Sequence, residues 1–460
     1  MKKILFMVAM VLAMSASAQM ADKKDNTDTT TLGYALRKGS EVDLHIRLYF
    51  MSTDNEKELS DYYALAFGGG LKYQTGIYKG FQFTVGGFFV WNLASSDLTK
   101  PDPTTGIYNR YEVGQFDMED LSNKNDMDRL EDFNLKYHYK KSVLTFGKQN
   151  ILTPFINPQD GRMRPSGEQG FWLDLKEIKK TRIQAGWLTK MSPRGTVRWF
   201  DIDESIGIYP TGLNTDGTKS GYKGNLQSAG VGILGLTYQL KPWWTVQAWE
   251  YYTDNIFNTL MLQTDVEKSI GGKLALIAGL QYTNQSALND GGNIDPKKAY
   301  FDPRQKSNVI SGRLGFRNSK DRVLMNYTRI TADGRFLFPR EWGREPMYTF
   351  LKRERNEGAG DVNAFSVNYF RNWNKKFKSE LGYGYYDMPG VTNIVLNKYS
   401  MPAYHQALAD VSYNFSGFMK GLQVEALYTF KIDAEGVESG RLAINKVDMH
   451  HFNLILNYHL

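Results

Sequence analysis

The sequence predicts an all-β fold, a transmembrane antiparallel β-barrel of about 18 strands, and three observations support it. Segments in which apolar and polar residues alternate recur along the chain. These segments run to about ten residues, enough to cross a bilayer at a tilt, whereas soluble strands average about five or six. The connections between them are alternately short and long, as in bacterial outer-membrane barrels.

The composition agrees with this fold class and excludes several others. The 460 residues include 28 Tyr, 26 Phe and 43 Gly, which favour strands and tight turns. The absence of cysteine excludes a disulfide framework, thiolate metal sites and a cysteine nucleophile. The net charge of +7 is small for this length, so nucleic acid is not expected as a partner.

The N-terminus has the three parts of a secretory signal peptide. Lys2-Lys3 is a positive region, residues 4–13 are apolar, and Ala16-Ser17-Ala18 supplies small residues for cleavage. About ten apolar residues are too few to cross roughly 30 Å of hydrocarbon as a helix. The predicted division of the chain is a signal peptide at residues 1–18, a polar periplasmic lead-in at 19–40 and an outer-membrane barrel at 41–460.

The alternation is clearest in the first predicted strand. Its apolar face carries Val42, Leu44, Ile46, Leu48 and Phe50, and its polar face carries Glu41, Asp43, His45, Arg47 and Tyr49. We expect the apolar face to meet lipid and the polar face to line a lumen. Strands are predicted to start near residues 41, 62, 81, 131, 142, 170, 180, 229, 243, 258, 272, 307, 321, 361, 376, 403, 422 and 446.

Every second connection between these strands is short, and the others are mostly long. The long ones are residues 92–130, 149–169, 191–227, 284–306, 331–360, 388–402 and 433–445. In bacterial barrels the short turns face the periplasm and the long loops face outward. An even strand count therefore places both chain ends in the periplasm. Sixteen strands is the alternative, because alternation alone defines strand ends poorly.

A barrel of this size encloses an aqueous path, because its wall side chains cannot fill it. The third outer connection, residues 149–169, is the best candidate for the loop that narrows this path. It mixes three prolines, which stiffen the backbone, with glycines that allow sharp turns and with several charges. Its charges are therefore expected to project from a fixed backbone.

Short motifs in two outer connections resemble the OprD-type substrate-specific porins. In the third connection they are Gly147, Gln149, Pro154 and Asp160-Gly161-Arg162-Met163-Arg164-Pro165. In the seventh they are Phe338-Pro339-Arg340-Glu341-Trp342-Gly343-Arg344-Glu345-Pro346 and Gly358-Ala359-Gly360-Asp361. The resemblance implies an inward-folded third loop and a narrow channel in the bacterial outer membrane for small, often carboxylate-bearing, solutes.

The resemblance also implies positions for the charged constriction. It places Asp160, Arg162 and Arg164 there, with Arg340, Glu341 and Arg344 opposite. Alternation adds lumen-facing wall charges, which are Arg47, Arg182, Arg313, Arg317 and Lys378, opposed by Asp43, Glu380 and Glu425. A guanidinium group holds a carboxylate through two hydrogen bonds, so successive arginines lower the barrier to passage. The alternative is that each is a solvated wall charge paired with a neighbour.

Two other classes of outer-membrane barrel stay open, a hydrolase and a structural barrel that binds a partner through its outer loops. None of the six histidines has a serine with motif context beside it. His450 and His451 point to opposite faces of one strand and so cannot bind one metal ion together. No catalytic residue, metal or cofactor is predicted. The expected partners are small solutes, outer-membrane lipid and lipopolysaccharide, with a monomeric or trimeric protein.

Overall fold

The computed structural model describes residues 31–159 and 161–460. The predicted signal peptide, residues 1–18, therefore lies outside the described residues, as does the predicted lead-in up to residue 30. A short helix, Leu32–Leu36, precedes the first strand, and the Thr31 hydroxyl caps it by accepting a hydrogen bond from the Tyr34 amide. In this part of the chain no helix is long and apolar enough to cross a membrane.

Nineteen strands are present in the described residues, and all of them except the two-residue β8 form the wall of one antiparallel barrel. Their bounds are β1 Glu41–Asp54, β2 Tyr62–Gln74, β3 Phe81–Ser95, β4 Arg129–Tyr139, β5 Ser142–Gln149, β6 Gly167–Leu175, β7 Thr181–Ser192, β8 Phe200–Asp201, β9 Val231–Lys241, β10 Trp244–Thr253, β11 Phe257–Gly271, β12 Leu274–Ala287, β13 Lys306–Arg317, β14 Asp321–Ile330, β15 Val362–Asn372, β16 Phe377–Asp387, β17 Tyr404–Asn414, β18 Leu422–Asp433 and β19 Met449–His459.

Each strand pairs with its neighbours in sequence, and the pairing of β1 with β19 closes the barrel. The strand β8 pairs only with the end of β7, while β7 pairs along its length with β9. The wall therefore has eighteen strands, which confirms the predicted fold class and excludes the alternative of sixteen. Every predicted start lies within three residues of the observed one, because the alternation that marks each strand is a local property of the sequence.

The connections confirm the expected rhythm of short turns and long loops. By the rule for bacterial barrels, the short turns mark the periplasmic end. The outer loops used below are L2 (residues 96–128), L3 (150–166), L4 (193–230), L6 (288–305), L7 (331–361) and L8 (388–403). On the lipid side the strands carry exposed apolar residues such as Leu314, Val367 and Leu381.

Two hydrophobic clusters lie inside the barrel. The larger joins L3, L4, L6 and L7 to the inner faces of β6, β7 and β9–β17, and it contains Phe155 of L3. The smaller packs L2 against β1, β2, β3 and β19, and it contains Met163 of L3. Because L3 contributes Ile151, Phe155 and Ile156 to the larger cluster and Met163 to the smaller one, it crosses the lumen. The segment between Phe155 and Met163 lies between the two clusters.

Two neighbouring residues on β17 test which face of the wall meets lipid. Val411 is exposed on the outer surface, and Ser412 lines an internal cavity. Val411→Arg is expected to lower the free energy of unfolding by roughly 2–4 kcal/mol near the bilayer midplane and by less toward the interface. Ser412→Arg is expected to change it little, because its charge enters water. Urea titration in lipid vesicles, followed by tryptophan fluorescence, measures both. Equal losses would contradict the assigned faces.

Candidate functional site

The first half of L3 is anchored by a buried aromatic ring. Phe155 is fully buried, and its ring stacks on Phe338 of L7 at 4.9 Å and meets Tyr251 of β10 edge-on at 5.4 Å. The turn around it is closed by the Thr153 amide, which donates to the Ile156 carbonyl at 2.9 Å. This half of the loop is therefore held against the wall opposite β1, as an inward-folded loop requires.

The second half of L3 is anchored on the other side of the lumen. Met163 is fully buried in the smaller cluster. Arg164 donates through Nη2 to the Met127 carbonyl of L2 at 2.5 Å and lies 5.9 Å from the Phe88 ring centre. The Ser166 hydroxyl donates to the Glu341 carbonyl at 3.0 Å. Arg164 thus fastens L3 to L2 and the wall, and it does not line the cavity described below.

L7 also folds inward and follows the inner wall from β13 round to β1. The contacts of this segment, in chain order, are Tyr348 N to Ser311 Oγ (3.0 Å), Thr349 Oγ1 with Thr328 Oγ1 (2.8 Å), Gln406 Nε2 to the Lys352 carbonyl (2.8 Å), Arg353 Nη2 to Asn453 Oδ1 (2.7 Å) and Arg353 Nη2 to Tyr49 OH (2.6 Å). We call residues 348–353 the L7 strap. It satisfies polar wall groups that would otherwise lack partners.

L3 and L7 are joined where they meet. The Gln159 amide donates through Nε2 to the Gly343 carbonyl at 2.6 Å, and Arg353 donates through Nη1 to the Gly161 carbonyl at 3.2 Å. Arg194 of L4 donates through Nη1 to the Gln159 carbonyl at 3.1 Å. The three loops therefore form one hydrogen-bonded unit across the lumen.

A cavity of about 590 Å³ adjoins this unit. It runs along the polar face of β1 from Tyr49 to Asp43, a distance of roughly 20 Å at about 3.3 Å per residue. Its ten basic side chains are Arg47, Lys72, Arg110, Arg162, Arg194, Arg340, Arg344, Lys352, Arg353 and Arg355. Its five acidic side chains are Asp43, Glu131, Asp132, Glu354 and Glu425. The lining is therefore electropositive.

Four of these side chains form what we call the arginine cluster: Arg162, Arg194, Arg353 and Arg355. Within the described residues their hydrogen bonds go to carbonyl, hydroxyl and amide oxygens, and none of them pairs with a carboxylate. The Nε atoms of Arg162 and Arg353 are buried without a hydrogen-bond acceptor in the same part of the chain. The cluster can therefore accept an anion.

The pKa values of the cluster reflect burial and mutual repulsion. Burial, followed by the charges of Arg194 and Arg353, lowers the pKa of Arg162 well below its usual value. Burial and Arg194 lower the pKa of Arg355 to about 10. Both guanidinium groups still carry their charge at neutral pH. An anion placed among them would relieve this repulsion.

Glu354 lies between two residues of the cluster, Arg353 and Arg355. Glu354 is buried, and burial together with the nearby Glu345 raises its pKa well above the usual value. Burial thus disfavours the charged form of Glu354. Within the described residues no group of three or more Asp, Glu or His side chains could hold a metal ion.

The residues proposed from the resemblance are only partly brought together. Arg162 lines the cavity, and Asp160 lies outside the described residues. Arg340 and Arg344 also line the cavity. Glu341 does not: its carboxylate is buried and accepts hydrogen bonds from the Gly207 and Tyr209 amides of L4, at 3.1 and 2.9 Å.

The wall arginines also divide into two groups. Arg47 lines the cavity and donates to the Arg162 carbonyl and to Asn457 Oδ1, both at 2.7 Å. The other three do not line this cavity, and each is paired with an acid on an adjacent or next-adjacent strand. These pairs are Arg182 with Asp174, Arg313 with Asp265, and Arg317 with Glu267. These three arginines therefore match the alternative given in the sequence analysis, in which a wall charge is paired with a neighbouring acid.

Sequence reasoning missed three of the four cluster residues. Arg353 and Arg355 lie in a run of charges, Lys352-Arg353-Glu354-Arg355, within a long connection that has no alternation. That run is a usable signal for a lumen-facing segment. Arg194 follows β7 directly, and nothing in its neighbourhood distinguishes it from an ordinary surface charge.

Comparisons with known proteins agree with this architecture. A family model described as outer membrane porin, OprD family, matches residues 34–392. The chain is similar in structure to OccK9 (OpdG) of Pseudomonas aeruginosa, with 16% identity, a TM-score of 0.73 and coverage of 93% of this chain and 99% of that one. OccAB2 of Acinetobacter baumannii gives 16% identity, a TM-score of 0.72 and coverage of 93% and 99%.

A third similar structure is OpdK of Pseudomonas aeruginosa, which was crystallised with vanillate. It has 15% identity and a TM-score of 0.71, with coverage of 92% of this chain and 99% of that one. At these identities the structural likeness establishes the fold. No curated protein sequence matches the chain.

Phe155 provides a test of how L3 is held. Phe155→Ala removes a fully buried ring, a change that costs about 3–5 kcal/mol in protein cores. We expect amide hydrogen exchange in residues 150–166 to accelerate while exchange in the strands stays slow. Leu152→Ala is the matched control, because Leu152 in the same loop is 75% exposed. Unchanged L3 protection in the Phe155 variant would contradict the anchoring role.

Proposed function

The chain belongs to the OprD family of outer-membrane porins, and on this premise we propose that its channel selects small solutes that carry a carboxylate. The protein is a substrate-specific diffusion channel of the bacterial outer membrane, as the family and the resemblance in sequence both indicate. The observation that supports the carboxylate preference is the arginine cluster, whose charges have no acidic partner in the described part of the chain.

The contrast with other buried or half-buried cations strengthens the argument. Arg313 and Arg182 are held by carboxylates on the wall at 2.6 and 2.7 Å. A cation that already has an acidic partner gains little from a passing anion. The cluster lies between two hydrophobic clusters, where charges are poorly screened and attract an anion more strongly than in bulk water.

The chemistry of guanidinium favours a carboxylate over a monatomic anion. Each planar group offers parallel N–H donors that match the two oxygens of a carboxylate. Tyr209 also lines the cavity and is partly exposed, so it offers ring surface to the rest of a solute. OpdK, crystallised with vanillate, is a relative in fold whose ligand combines a carboxylate with an aromatic ring.

Passage requires that the solute leave the cluster as well as enter it. Arg47 lies two residues closer to the periplasm than Tyr49 on β1, about 7 Å along the strand. The cavity continues past it to Lys72, which is 3.5 Å from Asp43 at the periplasmic end. A carboxylate that leaves the cluster for Arg47 then reaches the periplasmic end, where Lys72 is already paired with Asp43 and holds the solute only weakly, so that it can leave, as conduction requires.

We further propose that the barrel carries out no catalysis. One buried constellation looks superficially like a hydrolase site: His451 Nδ1 lies 2.9 Å from Thr53 Oγ1. The Thr53 hydroxyl, however, donates to Glu112 Oε1 at 2.7 Å. In the described part of the chain no carboxylate orients the imidazole, as a triad needs. All three side chains are buried and none lines the cavity, so we assign the group to docking of L2.

The same proposal covers the remaining partners. The exposed apolar faces of the strands are proposed to contact outer-membrane lipid and the lipid part of lipopolysaccharide. The transport proposal uses residues of a single chain. The transport proposal therefore holds for a monomer and for a trimer, and it involves no nucleic acid.

Arg162 tests the carboxylate preference. Arg162→Met removes a charge-assisted contact worth about 1.5–3 kcal/mol, so we expect uptake of gluconate to fall about tenfold or more while uptake of glucose changes little. Swelling of liposomes that contain the purified protein measures both solutes, which are of similar size.

Arg182→Met is the matched control, because Arg182 is paired with Asp174 and does not line the cavity. It should leave the ratio of gluconate to glucose uptake unchanged. Equal loss of both solutes in the Arg162 variant would mean that L3 sets only the width of the pore. An equal effect of the two variants on gluconate would contradict the assignment of the cluster.

A further inference from the structure

A second cavity lies inside the barrel, and the proposed function does not use it. It measures about 490 Å³ and lies beside the periplasmic turn between β13 and β14. Charged residues dominate its lining, and those that matter here are Lys352, Glu380, Asp410 and Glu425. The space beneath the loops thus holds two cavities, one along β1 and one along the inner faces of β13 to β18.

Three side chains line both cavities: Lys352, Gln423 and Glu425. Lys352 comes from the L7 strap, and the other two stand on β18. The Lys352 ammonium contacts the Asp410 carboxylate and lies 3.1 Å from Glu425 Oε1. Its side chain is 37% exposed, whereas that of Asp410 is 9% exposed. The ion pair therefore stands at the boundary between the two spaces, with its lysine facing the water.

We infer that Lys352 is a strut that separates the two cavities and confines solutes to the β1 side, where the arginine cluster lies. The inference rests on the protein being a channel, but not on the carboxylate preference. A lysine that reaches from an inner loop to two wall carboxylates narrows the lumen. Its charge also offsets acids that would otherwise attract cations into the path.

The effect of Lys352 on the charge of the path follows from the carboxylates that surround it. On the strand register Glu380 pairs with Asp410, and Ser412 pairs with Glu425. Three carboxylates thus stand on adjacent inner strands, and the contacts between Lys352 and two of them supply a compensating charge. Replacing the lysine by a neutral residue leaves two acids facing the widened lumen. The charge selectivity of the pore must then shift toward cations.

The position of the strap does not depend on the lysine side chain. Its backbone is held by the Gln406 amide, which donates to the Lys352 carbonyl, and by the Tyr386 hydroxyl, which donates to the Thr349 carbonyl at 2.9 Å. The next residue, Arg353, donates a hydrogen bond to Asn453 and so holds this end of the strap against the wall. Shortening or neutralising Lys352 therefore removes the strut and leaves the strap in place.

Planar-bilayer recording in KCl tests the inference with two complementary variants. Lys352→Met is expected to raise the single-channel conductance, by up to about twofold if the second cavity joins the first. In a KCl gradient its zero-current potential should shift toward cation selectivity. The double variant Asp410→Asn with Glu425→Gln breaks the same ion pair from the wall. It should also raise the conductance, but it should shift the zero-current potential toward anions.

Lys376→Met, on an exposed periplasmic turn, is the control and should change neither quantity. Heat-modifiable migration on gels checks that each variant is a folded barrel. Conductance that is unchanged in both pair-breaking variants would overturn the strut, as would potentials that shift in the same direction. If Lys352→Met behaves as expected while Arg162→Met fails to discriminate gluconate from glucose, the strut stands and only the carboxylate preference falls.

Discussion

The inner wall of an eighteen-stranded barrel presents polar side chains to a space that those side chains cannot fill. This constraint governs the rest of the molecule. Either water occupies the whole lumen, or other parts of the chain enter it and satisfy the wall groups. Here L3 and the L7 strap enter it, and each makes hydrogen bonds to the wall and to the other loop. The cavity along β1 is therefore bounded by these loops as well as by the wall.

The same constraint explains where charge is left uncompensated. On the wall, acids and bases on nearby strands lie within reach of each other, so pairs such as Arg313 with Asp265 form. At the centre, backbone carbonyls of L3 and L7 occupy the positions that acids hold on the wall, and the arginines bond to these carbonyls. A carbonyl satisfies a donor but does not cancel a charge. In the described part of the chain the arginine cluster is thus hydrogen-bonded but has no acidic partner, and we propose that a mobile anion supplies the missing charge.

The sequence predicted the wall well and the loops poorly, for a physical reason. Strand positions follow from period-two alternation, which is readable within ten residues, and the predicted starts were within three residues of the observed ones. The path of a loop depends on partners far along the chain. The family resemblance placed Arg164 at the constriction, yet its guanidinium donates to the Met127 carbonyl of L2. Arg353 gave no local sign that it would reach Tyr49, which lies about 300 positions earlier. Arg162 was found only because the motif around it resembled a known family.

The most direct test of the account uses the wild-type channel and two probes that differ in one functional group. Benzoate and benzamide have the same ring and nearly the same size, but only benzoate carries a carboxylate. Single-channel recording in KCl should show that added benzoate interrupts the ion current in a concentration-dependent manner, while benzamide at the same concentrations does not. Equal interruption by both compounds, or interruption by benzamide alone, would contradict the claim that uncompensated arginines select the carboxylate.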